Sequence, residues 1–181
     1  MKKLRNLAMV LIAIAGTTVN AQTEKLNELR ADAQEAKSEL LQADSDLQTF
    51  FDNAAGYVIF PNVGKGGLII GGASGNGIVY ENGNAIGKAG LKKLNIGLQA
   101  GGQSIIEVIF FETEDDLKDF KEGNFSFGAE ASAVAVKSGV AVNAKYKNGV
   151  AVFALPKAGL MANASVGGQK FSYDGFESDM K

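Results

Sequence analysis

The chain has 181 residues, 46% of them hydrophobic, a formal net charge of −2, and no cysteine, histidine or tryptophan. The missing cysteine and histidine exclude Ser-His and Cys-His nucleophilic chemistry and nitrogen- or sulfur-rich zinc and copper sites. They also leave the core to stabilise itself without disulfides. The acidic balance argues against a nucleic-acid partner.

Residues 1–21 read as a secretory signal peptide. A basic start, Met1 to Arg5, precedes an apolar core, Leu7 to Ala15, and the small-x-small site Val19-Asn20-Ala21. The competing reading is a membrane anchor, but spanning needs about 20 apolar residues. Cleavage near Ala21 removes three basic residues and no acidic one, so the net charge falls from −2 to −5. The expected product is exported, either periplasmic or secreted.

Residues 22–53 form the expected helical segment. Leu26, Leu29, Ala33, Ala36 and Leu40 recur at the three-four spacing of one helix face, with acids on the others. Asp44-Ser45-Asp46 is a break and a new N-cap, because these side chains accept from exposed N–H groups. A short second helix then presents Leu47, Phe50 and Phe51. The pair is expected to pack on the rest of the domain. A membrane-surface helix is the alternative, although its acidic polar face has the wrong sign for anionic lipid.

From residue 54 to 176 the pattern is β-rich, with 177–181 as a tail. Short runs of Val, Ile, Phe and Tyr, broken by glycine, predict strands at Tyr57–Phe60, Gly67–Ala73, Ile78–Glu81, Ala85–Gly90, Leu94–Ala100, Ile105–Phe111, Phe125–Val136, Gly139–Lys147, Val150–Leu155, Leu160–Val166 and Gln169–Tyr173. Asn148-Gly149 predicts a two-residue type I′ hairpin placing Tyr146 opposite Ala151, Ala144 opposite Phe153 and Val142 opposite Leu155. One helix interrupts the sheet. Thr113 to Asp116 resembles a capping box, Leu117 and Phe120 follow, and Gly123 is a stop.

The glycine-rich stretch Gly66 to Gly83 raises the question of a phosphate loop. Asn62-Val63-Gly64-Lys65-Gly66-Gly67 supplies glycines and a lysine, but no Ser or Thr follows and the next element is a strand, so nucleotide binding is rejected. The glycines instead permit curvature and close backbone approach. Glu81, Glu107 and Glu130 are the strand acids a carboxylate hydrolase could use. For Glu107 and Glu130 the expectation is a structural glutamate paired with a lysine or a backbone donor. The acidic run from Glu112 to Asp119 lacks the spacing of a calcium loop. An outer-membrane barrel fits the signal and the strands, but not the charged helix or the Glu177–Lys181 end.

The ordered set of segments carries a resemblance. Ala54-Ala55-Gly56-Tyr57-Val58-Ile59-Phe60-Pro61 leads into Gly66-Gly67 and then Gly71-Gly72-Ala73-Ser74-Gly75-Asn76-Gly77-Ile78-Val79. Gly97-Leu98-Gln99-Ala100-Gly101-Gly102-Gln103 follows, then Phe125-Ser126-Phe127-Gly128-Ala129-Glu130-Ala131-Ser132, and last Lys157-Ala158-Gly159-Leu160-Met161-Ala162-Asn163-Ala164-Ser165. Over about Leu40 to Phe176 this succession resembles the SYLF domain family. The resemblance implies an α+β fold, with N-terminal helices on a curved, largely antiparallel sheet or partly closed barrel and one short inserted helix. It also implies non-catalytic binding of phosphoinositides or other anionic phospholipids; some eukaryotic members bind actin as well. No cofactor or metal is expected. The competing expectation is a structural or protein-interaction module of the cell envelope, with an envelope protein as partner.

Charge divides by element. The β portions carry the lysines and the helices the acids, so a basic sheet sits inside an acidic protein. Lys88, Lys92 and Lys93 lie together before Gly97, with Leu91 and Leu94 beside them to dip into a lipid interface. They are the expected headgroup contacts, with Lys65 and Lys157 as further candidates.

Overall fold

The computed structural model describes the backbone of residues 2–64, 73–93, 104–125, 132–157, 164–165 and 168–176. Helix α1 runs Lys2–Ala43, with side chains described from Gln22 onward. A 3₁₀ turn, Ser45–Leu47, leads to α2, Gln48–Asn53. Strands β1 Gly56–Val63, β2 Ala73–Glu81, β3 Asn84–Lys93 and β4 Ile105–Phe111 follow. Helix α3 is Glu114–Lys121 and β5 is Ser132–Ala135. A second 3₁₀ turn at Ala141–Asn143 precedes β6 Val150–Pro156, β7 Ala164–Ser165 and β8 Gln169–Gly175. The fold is α+β, as expected from the sequence.

The strands form one sheet in the order β7-β5-β6-β4-β1-β2-β3-β8. Every neighbouring pair is antiparallel except β5 with β6, which is parallel. Chain connectivity shows that this sheet curls. Strands β7 and β8 stand at opposite edges, yet Ser165 and Gln169 are only four residues apart. Four residues reach at most about 14 Å, whereas a flat sheet of eight strands would hold its edges about 34 Å apart. A side-chain bond agrees: Gln169 on β8 donates to Glu107 on β4 at 3.0 Å, although three strands lie between them. Among the described residues the sheet is a curled wall whose edge strands are β7 and β8.

Each face of the wall has its own core. On the outer face, Ala33, Ala36 and Leu40 of α1, with Leu47, Phe50 and Phe51, cover Tyr57, Ile59, Ile78, Tyr80, Val108, Phe110 and Phe153. Inside the curl, Val58, Phe60, Val79, Leu91, Ile109 and Phe111 meet Leu117 and Phe120 of α3. The ring of Phe171 on β8 lies 6.0 Å from Phe60 and 5.4 Å from Phe120, so aromatic packing fills the interior. Tight curvature needs a bare backbone at Gly77, where a Cβ would come within 2.6 Å of the Ile59 carbonyl oxygen. This is the close approach expected of the glycine-rich stretch, of which residues 65–72 lie outside the described set.

Several elements match their sequence patterns. Asp44 caps the turn at Ser45, and Thr113 and Asp116 form a reciprocal capping box. Strand β4 has the predicted bounds. One predicted strand is overturned. Residues 139–146 do not pair with β6, which instead lies between β4 and β5. The Asn148-Gly149 turn itself is present, with positive φ of 51° and 77° and the Lys147–Val150 bridge. Beyond that bridge the expected pairs of Tyr146, Ala144 and Val142 are absent, and Val142 is 67% exposed. The cause is Asp44. Its buried carboxylate accepts from the N–H groups of Gly139 at 3.2 Å and Ala141 at 2.8 Å, turning the segment into a 3₁₀ turn. The predicted strand Leu94–Ala100 lies outside the described residues, as do 67–72 of Gly67–Ala73, 126–131 of Phe125–Val136, and 160–163 and 166 of Leu160–Val166.

Candidate functional site

Strand β3 places the first candidates. Ala89 and Leu91 face the inner core, so alternation turns Lys88 and Lys92 to the outer face, in the register of Ile78 and Ser74 on β2. Strand β3 contains the predicted strand Ala85–Gly90 and runs on to Lys93, so Lys92 also belongs to a paired strand. Leu91 is buried in the core and unavailable to a membrane, and Leu94 lies outside the described residues.

Strand β8 adds a lysine that the sequence reading missed. Its register sets Lys170 directly opposite Lys92, and Asp174 opposite Lys88. The second pair is an ion pair, with Nζ to Oδ2 at 2.9 Å. The first pair sets two cations face to face, both exposed, and neither makes an ion pair among the described residues. Like charges directly across a sheet repel. Ser74 on β2 completes the row Ser74–Lys92–Lys170. Lys170 stands in an alternating QKFSYDG run. Only the long-range pairing of β8 with β3 brings it to Lys92, and no local signal predicts that pairing.

Of the remaining candidates, Lys93 pairs in register with Gln169 and Ala73, and its side chain is outside the described set. Lys157 is exposed one residue beyond β6, and its N–H donates to the Ser104 carbonyl at 3.0 Å. It shares this end of the sheet, but β4, β1 and β2 separate it from β3. Lys65 lies outside the described residues. The end of the sheet formed by the last residues of β3 and β6 and the first of β8 therefore bears Lys92, Lys93, Lys157 and Lys170. The other end bears Glu81, Glu112 and the acidic first turn of α3, together with Lys121, Lys145 and Lys147.

Beside Lys88, an open groove of about 690 Å³ runs between the outer face and the part of α1 after Gln22, lined by Leu26, Leu29, Asn76 and Phe176. The Arg30 guanidinium lies 4.4 Å from the centroid of the Phe176 ring.

Two of the three strand acids lie among the described residues, Glu81 and Glu107. Glu107 is fully buried and accepts from the side-chain amide of Gln169 at 3.0 Å. Glu81 is committed to Lys121 at 3.5 Å. Glu130 lies outside the described residues.

Residues 92–177 match the family model described as Ysc84, Las17-binding protein actin regulator. Among curated proteins, the chain is 28% identical over 141 residues to beta cell expansion factor A of Aeromonas veronii, covering 75% of this chain and 52% of that protein. The chain thus spans about half the length of the curated relative it matches. Over residues 92–177 the chain therefore matches the Ysc84 (SYLF) family that its ordered motifs resemble.

Proposed function

We propose that this chain is an exported, non-catalytic module that binds anionic phospholipids, phosphoinositides among them, through the lysine-bearing end of its sheet. The observation that carries the reading is the cross-strand pair Lys92–Lys170. Two exposed cations held opposite each other cost energy, and a phosphate between them removes that cost. Lys93 and Lys157 raise the potential at the same end, and near an anionic membrane each such lysine contributes about 1 kcal/mol. The family match supports a lipid- or actin-binding module. Buried Glu107, held by an amide, supports a role without carboxylate catalysis. Export rests on the signal-like residues 1–21 and places the module in the periplasm or outside the cell.

Native mass spectrometry of the protein purified from its own envelope, followed by lipid extraction, tests this. Anionic phospholipid should co-purify in stoichiometric amounts. A stable protein partner with no lipid would replace the reading with an envelope interaction module.

A further inference from the structure

We propose that the outer face of the sheet around Gly90 seats the hydroxylated ring of a phosphorylated sugar or polyol, with its phosphate held between Lys92 and Lys170. The inference rests on the reading of that lysine pair as a phosphate site and adds what the rest of the ligand meets. Rows of residues cross β2, β3 and β8 on this face. One is Ser74–Lys92–Lys170, the next Asn76–Gly90–Ser172, and the next Ile78–Lys88–Asp174. Successive rows on one face stand about 6.8 Å apart, and neighbouring strands about 4.8 Å. Gly90 is thus the bare centre of a strip roughly 10 Å wide between Asn76 and Ser172. The lysine pair bounds one end of the strip, and the Lys88–Asp174 ion pair bounds the other.

The missing side chain at Gly90 is unlike the others in these strands. At the other glycines of β2 and β3 it is a packing requirement. A Cβ at Gly75 would stand 3.0 Å from the Asn62 carbonyl oxygen, at Gly77 2.6 Å from that of Ile59, and at Gly87 2.7 Å from that of Asp174. A Cβ at Gly90 would meet no backbone among the described residues. The one heavy atom within 4 Å of it there is the Ser172 hydroxyl oxygen, at 2.7 Å. A serine hydroxyl moves aside by rotation about a single bond. Gly90 does not have a positive φ either. Glycine inside a strand weakens it, and here neither packing nor backbone geometry requires one. Close approach of a ligand to the backbone does.

The surrounding groups suit hydroxyls. Asn76 and Ser172 are exposed, and neither side chain makes a hydrogen bond among the described residues. An amide and a hydroxyl both donate and accept, as a ligand hydroxyl does. The Lys92 and Lys170 ammonium groups only donate, which suits a phosphate. A purely donating end beside a mixed donor–acceptor middle matches a phosphate ester of a polyol. A phosphate without free hydroxyls beside it engages the lysine end alone.

Flotation with vesicles of matched surface charge tests this, with phosphatidylinositol 4-phosphate in one set and phosphatidic acid in the other. Both present a phosphate monoester, but only the first adds a hydroxylated ring. The wild type should bind the first about fivefold more tightly, the worth of one hydrogen bond. G90V should keep or raise the melting temperature, because valine favours a strand. It should also bring the two lipids to equal binding without weakening phosphatidic acid. N76A/S172A, changed only at exposed side chains, should remove the preference in the same way. Calorimetry with soluble inositol 1,4-bisphosphate separates a lipid source from a free one. Saturable binding that G90V weakens, with no flotation of the wild type, would support the site with a soluble ligand and end the membrane reading alone. Equal wild-type binding of the two lipids, a preference that survives N76A/S172A, or a G90V variant that melts lower would each overturn the site. If the equal binding is lost in K92E/K93E, the membrane reading stands without it. Binding of neither vesicles nor the soluble ligand would overturn both.

Discussion

Asp44 ties two distant parts of the chain together through one side chain. Burial pushes its carboxyl up, but the backbone N–H groups of Ala141, Asp46, Gly139 and Val140 outweigh this and hold it below the ordinary value of 3.8. Its folded pKa is thus depressed, so its stabilisation is complete above the ordinary value and is lost as pH falls through the folded one. D44A should cost about 3 kcal/mol, because buried N–H groups lose a charged acceptor. In urea melts the gap between D44A and wild type should close at acid pH; a gap of equal size there would show that the carboxylate charge is not what matters. Tyr57 behaves in the opposite sense. Burial, with the stacked Tyr80 beside it, raises its hydroxyl from 10.0 to about 12. Its contribution is present below the ordinary value and is lost as pH rises through the folded one. Burial raises Tyr146 to about 12 as well, so tyrosinate absorbance should show a late step, together with alkaline unfolding, whose amplitude Y57F reduces without removing it.

Elements differ in how far local sequence determines them. Helix α3 is written into its own residues: a Thr113 cap, an acidic first turn, buried Leu117 and Phe120, and Gly123 with φ of 74°. T113A should lower stability by about 1 kcal/mol in thermal melts, and a loss near zero would show that packing alone holds the helix. Strand β4 is equally legible, since IIEVIFF is apolar on both faces and both faces are covered. Residues 139–147 mislead because Val140, Val142, Ala144 and Tyr146 alternate as a strand would. A carboxylate 97 positions before Ala141 decides the outcome instead. The candidate site divides in the same way. Alternation alone places Lys88 and Lys92 on one face, whereas Lys170 joins them only through the pairing of β8 with β3.

At the scale of the whole molecule, the curl of the sheet and the separation of charge along it matter most. The curvature follows from a short connection joining opposite edges, and strand patterns carry no record of which edges meet. Apolar residues point into the curl and α1 covers much of the outer face. That is the reverse of a transmembrane barrel, whose apolar band faces outward around a polar interior. Lys92, Lys93, Lys157 and Lys170 gather at one end of the sheet, while the acids on the helices and at the other end stand beside Lys121, Lys145 and Lys147, so the protein can present a cationic end despite its net negative charge. Flotation with vesicles tests this claim most directly, comparing neutral phosphatidylcholine with the same lipid carrying phosphoinositide. The protein should float only with the anionic vesicles and release in about 0.5 M salt, where the Debye length shrinks to a few ångströms. K92E/K93E should bind at least tenfold more weakly. Equal binding to both vesicles, or undiminished binding of K92E/K93E, would contradict the account.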